Sequence, residues 1–496
     1  MADDLVRFRN LLAGSVRDAT GGEWLESLDP ATGEAWALIP RCTSADVDSA
    51  VEAARTAFRS PEWRGLTATA RGALLYRFAD RLAEETERLA QLETHDNGKL
   101  IAEMRAQLGY LPAYYRYFAG LADKIEGHVL PIDKPSMHAF TRREPLGVIA
   151  CITPWNSPLL LLAWKLAPLL AAGNTAVIKP SEHASCSTLA FVELFERAGF
   201  PAGVVNTVTG LPQECGEPLV KHPDIAKIAF TGGEPGGIAV YRSAAENLKK
   251  VTLELGGKSP NIIFGDADLE RAVYGAVSGI FAASGQTCIA GSRLLVQRDV
   301  HDEVVERLIA LAGTARIGDP KLADTQVGPV TTLAQRGKVL DHIASARQSG
   351  AECVLGGGQP TVAGLEGGWF VQPTIFTGVT NQMPIAREEV FGPVLAIIPF
   401  DHEEEALSIA NDSPYGLAAG VWTQDIGRAI RMSERVEAGT VWVNTYRAVS
   451  FMAPFGGMKR SGIGRENGQE AMDEYLQTKS VWIDLGSPVS NPFVIR

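Results

Sequence analysis

Cys288 stands in GQTCIAG (285–291), and its thiolate form can attack a carbonyl carbon. The six cysteines fall at 42, 151, 186, 215, 288 and 353, with no C-x-x-C pair. That spacing argues against a disulfide framework or a thiolate zinc site. A lone cysteine also serves as a small buried hydrophobe, so its surroundings decide its role. Glu254 lies in LELGGKSPN (253–261) between Leu253 and Leu255. Buried there, a carboxyl keeps its proton to higher pH and suits general-base work; a strand with Glu254 on its wet face fits the same letters. Asn156 closes TPWN (153–156), after a predicted strand. Its amide can cap a helix or donate to a developing oxyanion.

Other motifs suggest a phosphate-bearing ligand. FTGGEPGG (230–237) follows a predicted strand and opens a predicted helix. Glycines 232, 233, 236 and 237 let a diphosphate approach the backbone at a helix N-terminus, although a plain turn uses the same residues. KPSE (179–182) ends another predicted strand, so Lys179 and Glu182 either hold ribose hydroxyls or cap a helix. GGKS (256–259) is no P-loop, because Thr252 stands where the first glycine is required. PFGGMKRSGIGRENG (454–468) is a shaped loop, too glycine-rich for a helix interior. The eight histidines form no HExxH and no convincing metal-ligand cluster, and there is no G-x-S-x-G elbow. No metal is expected.

These residues need elements to carry them. Val47, Ala50, Val51, Ala54 and Phe58, then Leu74, Leu75, Phe78, Ala79 and Leu82, recur at helical spacing, so the first hundred residues are expected to be mainly helical. From 147 the runs GVIACIT, NTAVIKP, VVNTVTG, IAKIAFTG and VTLEL read as strands. Helical segments separate them, among them STLAFVELFERAGF, expected to close at Gly203 just beyond Pro201. This alternation predicts an α/β fold with a parallel sheet covered on both faces and ligands at the C-terminal strand ends. A second strand-and-helix region runs from about 257 to 455. Segments 126–145 and KSVWIDL (479–485) read as extended, without obvious partners nearby, so each is expected to pair outside its own domain.

The chain has 496 residues, 46% apolar and 21% charged, which suits two or three domains with ample core. A net charge of −12 disfavours nucleic acid or an anionic membrane surface as partner. PLGVIACITPWNSPLLLLAW (145–164) is uncharged, but Pro154, Asn156, Ser157 and Pro158 interrupt it. It reads as a buried strand, a turn and a core helix rather than a membrane span. MADDLVRFRN lacks an apolar signal region, and the scattered cysteines fit a reducing compartment, so a cytoplasmic location is expected.

In this order, TPWN, KPSE, FTGG, LELGGKSPN, GQTC, EEVFGPV (388–394), VNTYR (443–447) and PFGGMKRSG make the chain resemble the aldehyde dehydrogenase superfamily over nearly its whole length. The resemblance implies a Rossmann-like cofactor domain (1–122 and 146–256) and a second α/β catalytic domain (257–455). It also implies a β-ribbon oligomerisation element (123–145 and 476–496) and a return segment (456–475). It casts Cys288 as nucleophile, Glu254 as base, and Asn156 with the Cys288 backbone N–H as oxyanion donors. Thr153, Trp155, Lys179, Glu182, Gly232, Gly233, Gly237, Glu389 and Phe391 would contact the dinucleotide. Lys165 and Glu466 match groups linked to proton relay. Leu160, Leu161, Trp164, Ile289, Phe451 and Phe455 would line an apolar tunnel, with Tyr446 and Arg447 near its mouth. Arg447 either recruits a polar tail, as in a semialdehyde, or is a surface arginine in a subunit contact.

The implied reaction is oxidation of an aldehyde to an acid, with hydride passing to NAD through a thiohemiacetal and a thioester. Gly233 departs from the Ser usual in the family, putting a hydroxyl contact worth about 1 kcal/mol in doubt. Glu182 favours NAD, because a 2′-phosphate close to it is repelled by about 4 kcal/mol at intermediate dielectric; NADP use stays open. Rival readings are a coenzyme A-acylating relative, disfavoured by Glu254, and a catalytically silent NAD-binding protein, disfavoured by the presence of Cys288, Glu254 and Asn156 together. A homodimer or homotetramer is expected.

Overall fold

Strands with apolar residues on both faces require cover on both sides, and GVIACIT obeys that rule residue by residue. In the computed structural model, which describes residues 5–487 and 493, it forms the strand Val148–Thr153. Ile149 and Cys151 enter one core while Val148, Ala150 and Ile152 enter another, the period of two expected of a strand. The first core is closed by the helices Ala68–Asn97, Ile101–Leu121, Pro158–Ala171 and Cys186–Arg197. The second is closed largely by Ser44–Arg59.

The resulting six-stranded sheet runs Val205–Thr207, Thr175–Pro180, Val148–Thr153, Ile225–Thr231, Lys250–Glu254, Gly462–Ile463. The first five are parallel, and the last, from the C-terminal region, adds antiparallel with Glu254 opposite Gly462. A seven-stranded sheet runs Glu352–Leu355, Thr374–Thr377, Val394–Phe400, Arg293–Gln297, Pro260–Ile263, Ala418–Trp422, Thr440–Val443. All its neighbours are parallel except the Glu352–Leu355 edge.

The two extended segments without obvious partners pair with each other. Met137–Pro145 runs antiparallel to Leu476–Asp484, from Pro145 opposite Leu476 to Met137 opposite Asp484. The remainder of the expected oligomerisation element, 488–492 and 494–496, lies outside the described residues, as do the first four residues of MADDLVRFRN. The Pro158–Ala171 helix is buried along nearly its whole length, as expected of a core helix. No described helix is long and apolar enough to cross a membrane.

Two local expectations are corrected. The first forty residues are not helical: strands lie at Val6–Arg7, Asn10–Leu12, Ser15–Arg17, Trp24–Leu28 and Ala35–Pro40, and helix begins only at Ser44. Ala13 and Gly14, both at positive φ, make a two-residue hairpin turn between the second and third. Strands this short take their stability from distant partners, such as the bond from Leu11 N to Thr207 Oγ1. The Cys186–Arg197 helix also stops before Gly203. Gly199, at φ +83°, ends it first, and the Phe200 N–H returns to Phe195 O.

Candidate active site

The C-terminal ends of the parallel strands supply one wall of a cleft of about 550 Å³. Thr153 ends the central strand and Trp155 follows it; Lys179 lies at the end of its neighbour and Glu182 follows that strand; Thr231, Gly232 and Gly233 lead into the Glu234–Ala245 helix. All seven line the cleft. Lys179 Nζ stands 3.5 Å from a Glu182 carboxylate oxygen, so the pair reaches the cleft as one charged unit. Gly233 is the residue before the helix, and a Cβ built on it would meet only Pro235 Cδ, at 3.9 Å. A glycine is therefore not sterically required there. Gly237 does not line the cleft: a Cβ on it would meet Leu255 Cδ2 at 2.4 Å, so its smallness admits a core side chain. An elongated cleft beside a helix N-terminus, with hydroxyl-binding groups at one end, fits a dinucleotide.

The cleft shares Pro154, Trp155, Thr231, Gly232 and Gly233 with a smaller cavity of about 180 Å³. Cys288, Glu254, Asn156, Leu161, Glu389 and Phe391 line that cavity together. They arrive from four parts of the chain: 156–161, 254, 288 and 389–391. Glu254 is the last residue of its strand and is paired with Thr231, so the same strand ends fix both. It is buried, and neither carboxylate oxygen has a hydrogen-bond partner. The wet-face alternative for Glu254 is thereby excluded. Asn156 precedes the Pro158–Ala171 helix; one hydrogen of Nδ2 goes to Gln286 O at 2.9 Å, and the amide carries a second.

Cys288 is half-buried in a turn reached through Ala283, Ser284 and Gly285, all at positive φ. Such backbone is costly for non-glycine residues and persists where its surroundings enforce it. Here the Ala283 N–H donates to Glu103 Oε1 and Ser284 Oγ to Gly328 O. Phe391, also at positive φ, packs edge-on to Trp155 with centroids 5.3 Å apart. Glu389 accepts from the Gly257 N–H at 3.0 Å.

Burial dominates the electrostatics. It pushes the Cys288 thiol up to about 12, with Glu254 and then Glu389 adding to the effect. It also holds Glu254 well above the ordinary carboxylate range, reinforced by Glu466. Glu389 is raised too, chiefly by burial, with the Gly257 N–H opposing. An unpartnered buried carboxyl is expensive as an anion and ready to take a proton.

Lys165 and Glu466 form a buried pair, and Lys165 Nζ also donates to Thr231 Oγ1 at 2.6 Å. Thr231 lines both cavities, so the pair reaches the site through that hydroxyl. Trp164, Ile289 and Phe455 are buried in one apolar cluster, and Leu160, Phe451, Tyr446 and Cys288 pack against it. Trp164 and Phe455 rings lie 4.9 Å apart, and Tyr446 OH donates to Ile289 O. Arg447 lines neither cavity; half-buried and at φ +66°, it donates from Nη1 to Ser278 O.

Sequence reasoning passed over Gln335 and Lys338, which line the cavity from the Leu333–Gln348 helix. Gln335 Nε2 holds the carbonyls of Val390 and Phe391. It also passed over Lys99, whose signal was the HDNGK (95–99) helix stop ahead of a buried lysine.

A family model described as the aldehyde dehydrogenase family matches residues 16–481. A (Z)-2-((N-methylformamido)methylene)-5-hydroxybutyrolactone dehydrogenase of Acinetobacter baylyi is 47% identical over 493 residues, covering 99% of this chain and 100% of its own. An aldehyde dehydrogenase of Emericella nidulans is 44% identical over 466 residues, covering 94% and 93%. Among solved structures, Staphylococcus aureus betaine aldehyde dehydrogenase in complex with NAD+ superposes with TM-score 0.97 at 39% identity, covering 99% of this chain and 98% of that one. The NAD+ complex of a Bacillus cereus aldehyde dehydrogenase gives 0.94 at 44% identity, covering 97% of both.

Proposed function

The chain belongs to the aldehyde dehydrogenase family and oxidises aldehydes with NAD, and from that premise we propose which of its residues do the work. One observation carries the proposal: a thiol, an unpartnered carboxyl and a side-chain amide line one small cavity that opens into a dinucleotide-sized cleft. Cys288, its thiol proton first passed to solvent water, attacks the aldehyde carbon through Sγ, and the carbonyl oxygen becomes an oxyanion. The free hydrogen of Asn156 Nδ2 and the Cys288 backbone N–H stabilise it, each such donor being worth roughly 3 kcal/mol. NAD, held in the cleft by the residues named below, would supply the hydride acceptor needed to take the thiohemiacetal to the thioester level. Glu254 then takes a proton from water, which hydrolyses the thioester and frees the acid.

Lys179 and Glu182 would hold the adenosine ribose, Gly232 and Gly233 would face the diphosphate, and Thr153, Trp155, Glu389 and Phe391 would surround the nicotinamide half. The proposed division of the chain is a cofactor domain (1–122, 146–256), a catalytic domain (257–455), an oligomerisation ribbon (123–145, 476–496) and a return segment (456–475). The apolar cluster around Trp164 and Phe455 suits an apolar aldehyde body. Arg447 offers a polar tail a charged partner outside the cavity, which matches a relative named for an oxygen-rich hydroxybutyrolactone. The exposed Leu476–Asp484 edge supports a homo-oligomer, and the free thiols support a cytoplasmic location.

The test follows NADH absorbance over a panel of acidic, neutral and oxygen-rich aldehydes, with NAD or NADP and with or without coenzyme A. Wild type is expected to form NADH without coenzyme A, and Cys288→Ser to form none. Turnover that requires coenzyme A would replace hydrolysis with acyl transfer.

A further inference from the structure

A dense group of buried polar side chains lies at the C-terminal end of the Ala68–Asn97 helix: Glu93, Thr94, Asp96, Asn97 and Lys99 are all buried. The reaction described above uses none of them. Lys99 Nζ donates to Ser157 Oγ at 2.7 Å. Ser157 follows Asn156 and precedes the Pro158–Ala171 helix, where a serine ordinarily turns its hydroxyl onto the helix's own N–H groups. Here it makes no such capping bond, so its hydroxyl serves Lys99 instead.

From Lys99 the connections continue and return. The Lys99 N–H donates to Asn97 Oδ1 at 2.9 Å, and Thr331 Oγ1 donates to Asn97 O at 2.7 Å. The Thr331 N–H donates to Gln286 Oε1 at 2.8 Å, and Gln286 O accepts from Asn156 Nδ2 at 2.9 Å. Asn156 is joined covalently to Ser157, and Asn97 to Lys99 through Gly98. The circuit is therefore closed, drawing together chain segments near 97, 156, 286 and 331. Two of them carry the amide and the thiol that must meet at one carbonyl.

Gly98 makes the corner possible: its φ is +76°, and a Cβ there would meet Pro329 at 2.8 Å. Lys99 can be charged in this interior because Glu103 and Glu93 lie close by, although burial still pushes its ammonium down to about 8, and Arg447 works in the same direction.

We propose that the Asn97–Lys99 corner is a bracket for the reaction, with Lys99 a positioning residue that fixes Asn156 against the Cys288 turn through Ser157. The proposal rests on the roles assigned to Cys288 and Asn156. Breaking the circuit at Ser157 leaves Asn156 Nδ2 tethered by Gln286 O alone, so that it drifts from the oxyanion position, which slows the step that forms NADH without touching the cofactor cleft.

The test is a stopped-flow measurement of the first-turnover NADH burst in wild type, Cys288→Ser, Lys99→Met, Ser157→Ala and the double variant, with NAD affinity and melting temperature measured alongside. NADH formation by wild type and none by Cys288→Ser secures the underlying chemistry; failure at that stage removes the premise rather than the bracket. Each bracket variant is expected to slow the burst on the order of a hundredfold, the usual cost of a small misplacement at a reacting centre. NAD affinity is expected to stay within about threefold, and the double variant to be no slower than the slower single, as for residues acting as a unit. Should Lys99→Met fail to fold, Ser157→Ala, which removes one oxygen, decides alone. A burst within about threefold of wild type in Ser157→Ala, or losses that multiply in the double variant, would overturn the bracket.

Discussion

Cys288 and Glu254 share one difficulty, which is that burial favours their protonated forms. The thiol is pushed up to about 12 and the carboxyl stands well above its usual range. Each acts only after losing its proton, Cys288 to attack and Glu254 to accept one from water. Raising the pH therefore populates the working form of both, and activity is expected to climb through the neutral and alkaline range in a pH–rate profile. Glu254→Gln is expected to keep the NADH burst while abolishing the steady-state rate that follows it, separating thioester formation from hydrolysis in a stopped-flow trace. Asn156→Ala is expected to lower the burst rate by roughly 10² to 10³, the usual loss for one oxyanion donor. All three side chains were legible in the sequence as chemistry-bearing types. Burial of Glu254 was not, because a strand residue between two leucines faces either side depending on what covers the sheet, and here Gly462 and its neighbours cover that edge.

Elements decide where such residues arrive. The Glu234–Ala245 helix begins after Gly233, and open space at that position leaves room for a hydroxyl. Gly233→Ser is expected to tighten NAD binding about fivefold, one added hydrogen bond of about 1 kcal/mol, as read by cofactor titration. Gly285 is the opposite case. At φ +72°, with a Cβ meeting Gly392 O at 2.0 Å, it lets the Cys288 turn lie against the loop carrying Glu389 and Phe391. Gly285→Ala is expected to cost at least about 1–2 kcal/mol from the left-handed conformation alone and to reduce kcat, checked by melting temperature and steady-state rates. Strand–helix alternation marked these elements well from 147 onward. Val6–Arg7, Asn10–Leu12 and Ser15–Arg17 escaped it because two- and three-residue strands carry no periodicity, and Asn10–Leu12 is held by partners such as Thr207 and Thr209.

At the scale of the molecule, the ribbon presents an open strand edge. Leu476–Asp484 is an outer strand of its three-stranded sheet, nine residues long, with Trp482, Ile483 and nearby Leu485 exposed. A long exposed strand edge bearing apolar side chains is a template for pairing with another chain. We expect the wild-type chain to be a dimer or tetramer by light scattering, and Trp482→Asp with Ile483→Lys to shift it toward monomer while leaving the Cys288 cavity intact.

The order of the motifs, the strand–helix grain and the identity of the reacting side chains are properties of the chain itself, because they depend on residue type and short-range spacing. What the sequence could not hold is distance. Glu254 comes from a strand end, Asn156 from the loop before a helix and Cys288 from a left-handed turn, and they face one cavity because parallel strand ends, that turn and a hydrogen-bonded circuit through Lys99 bring them there. Long-range pairing fixes such geometry, and no local pattern encodes it: Met137–Pro145 and Leu476–Asp484 looked unpartnered one by one and proved to be each other's partner.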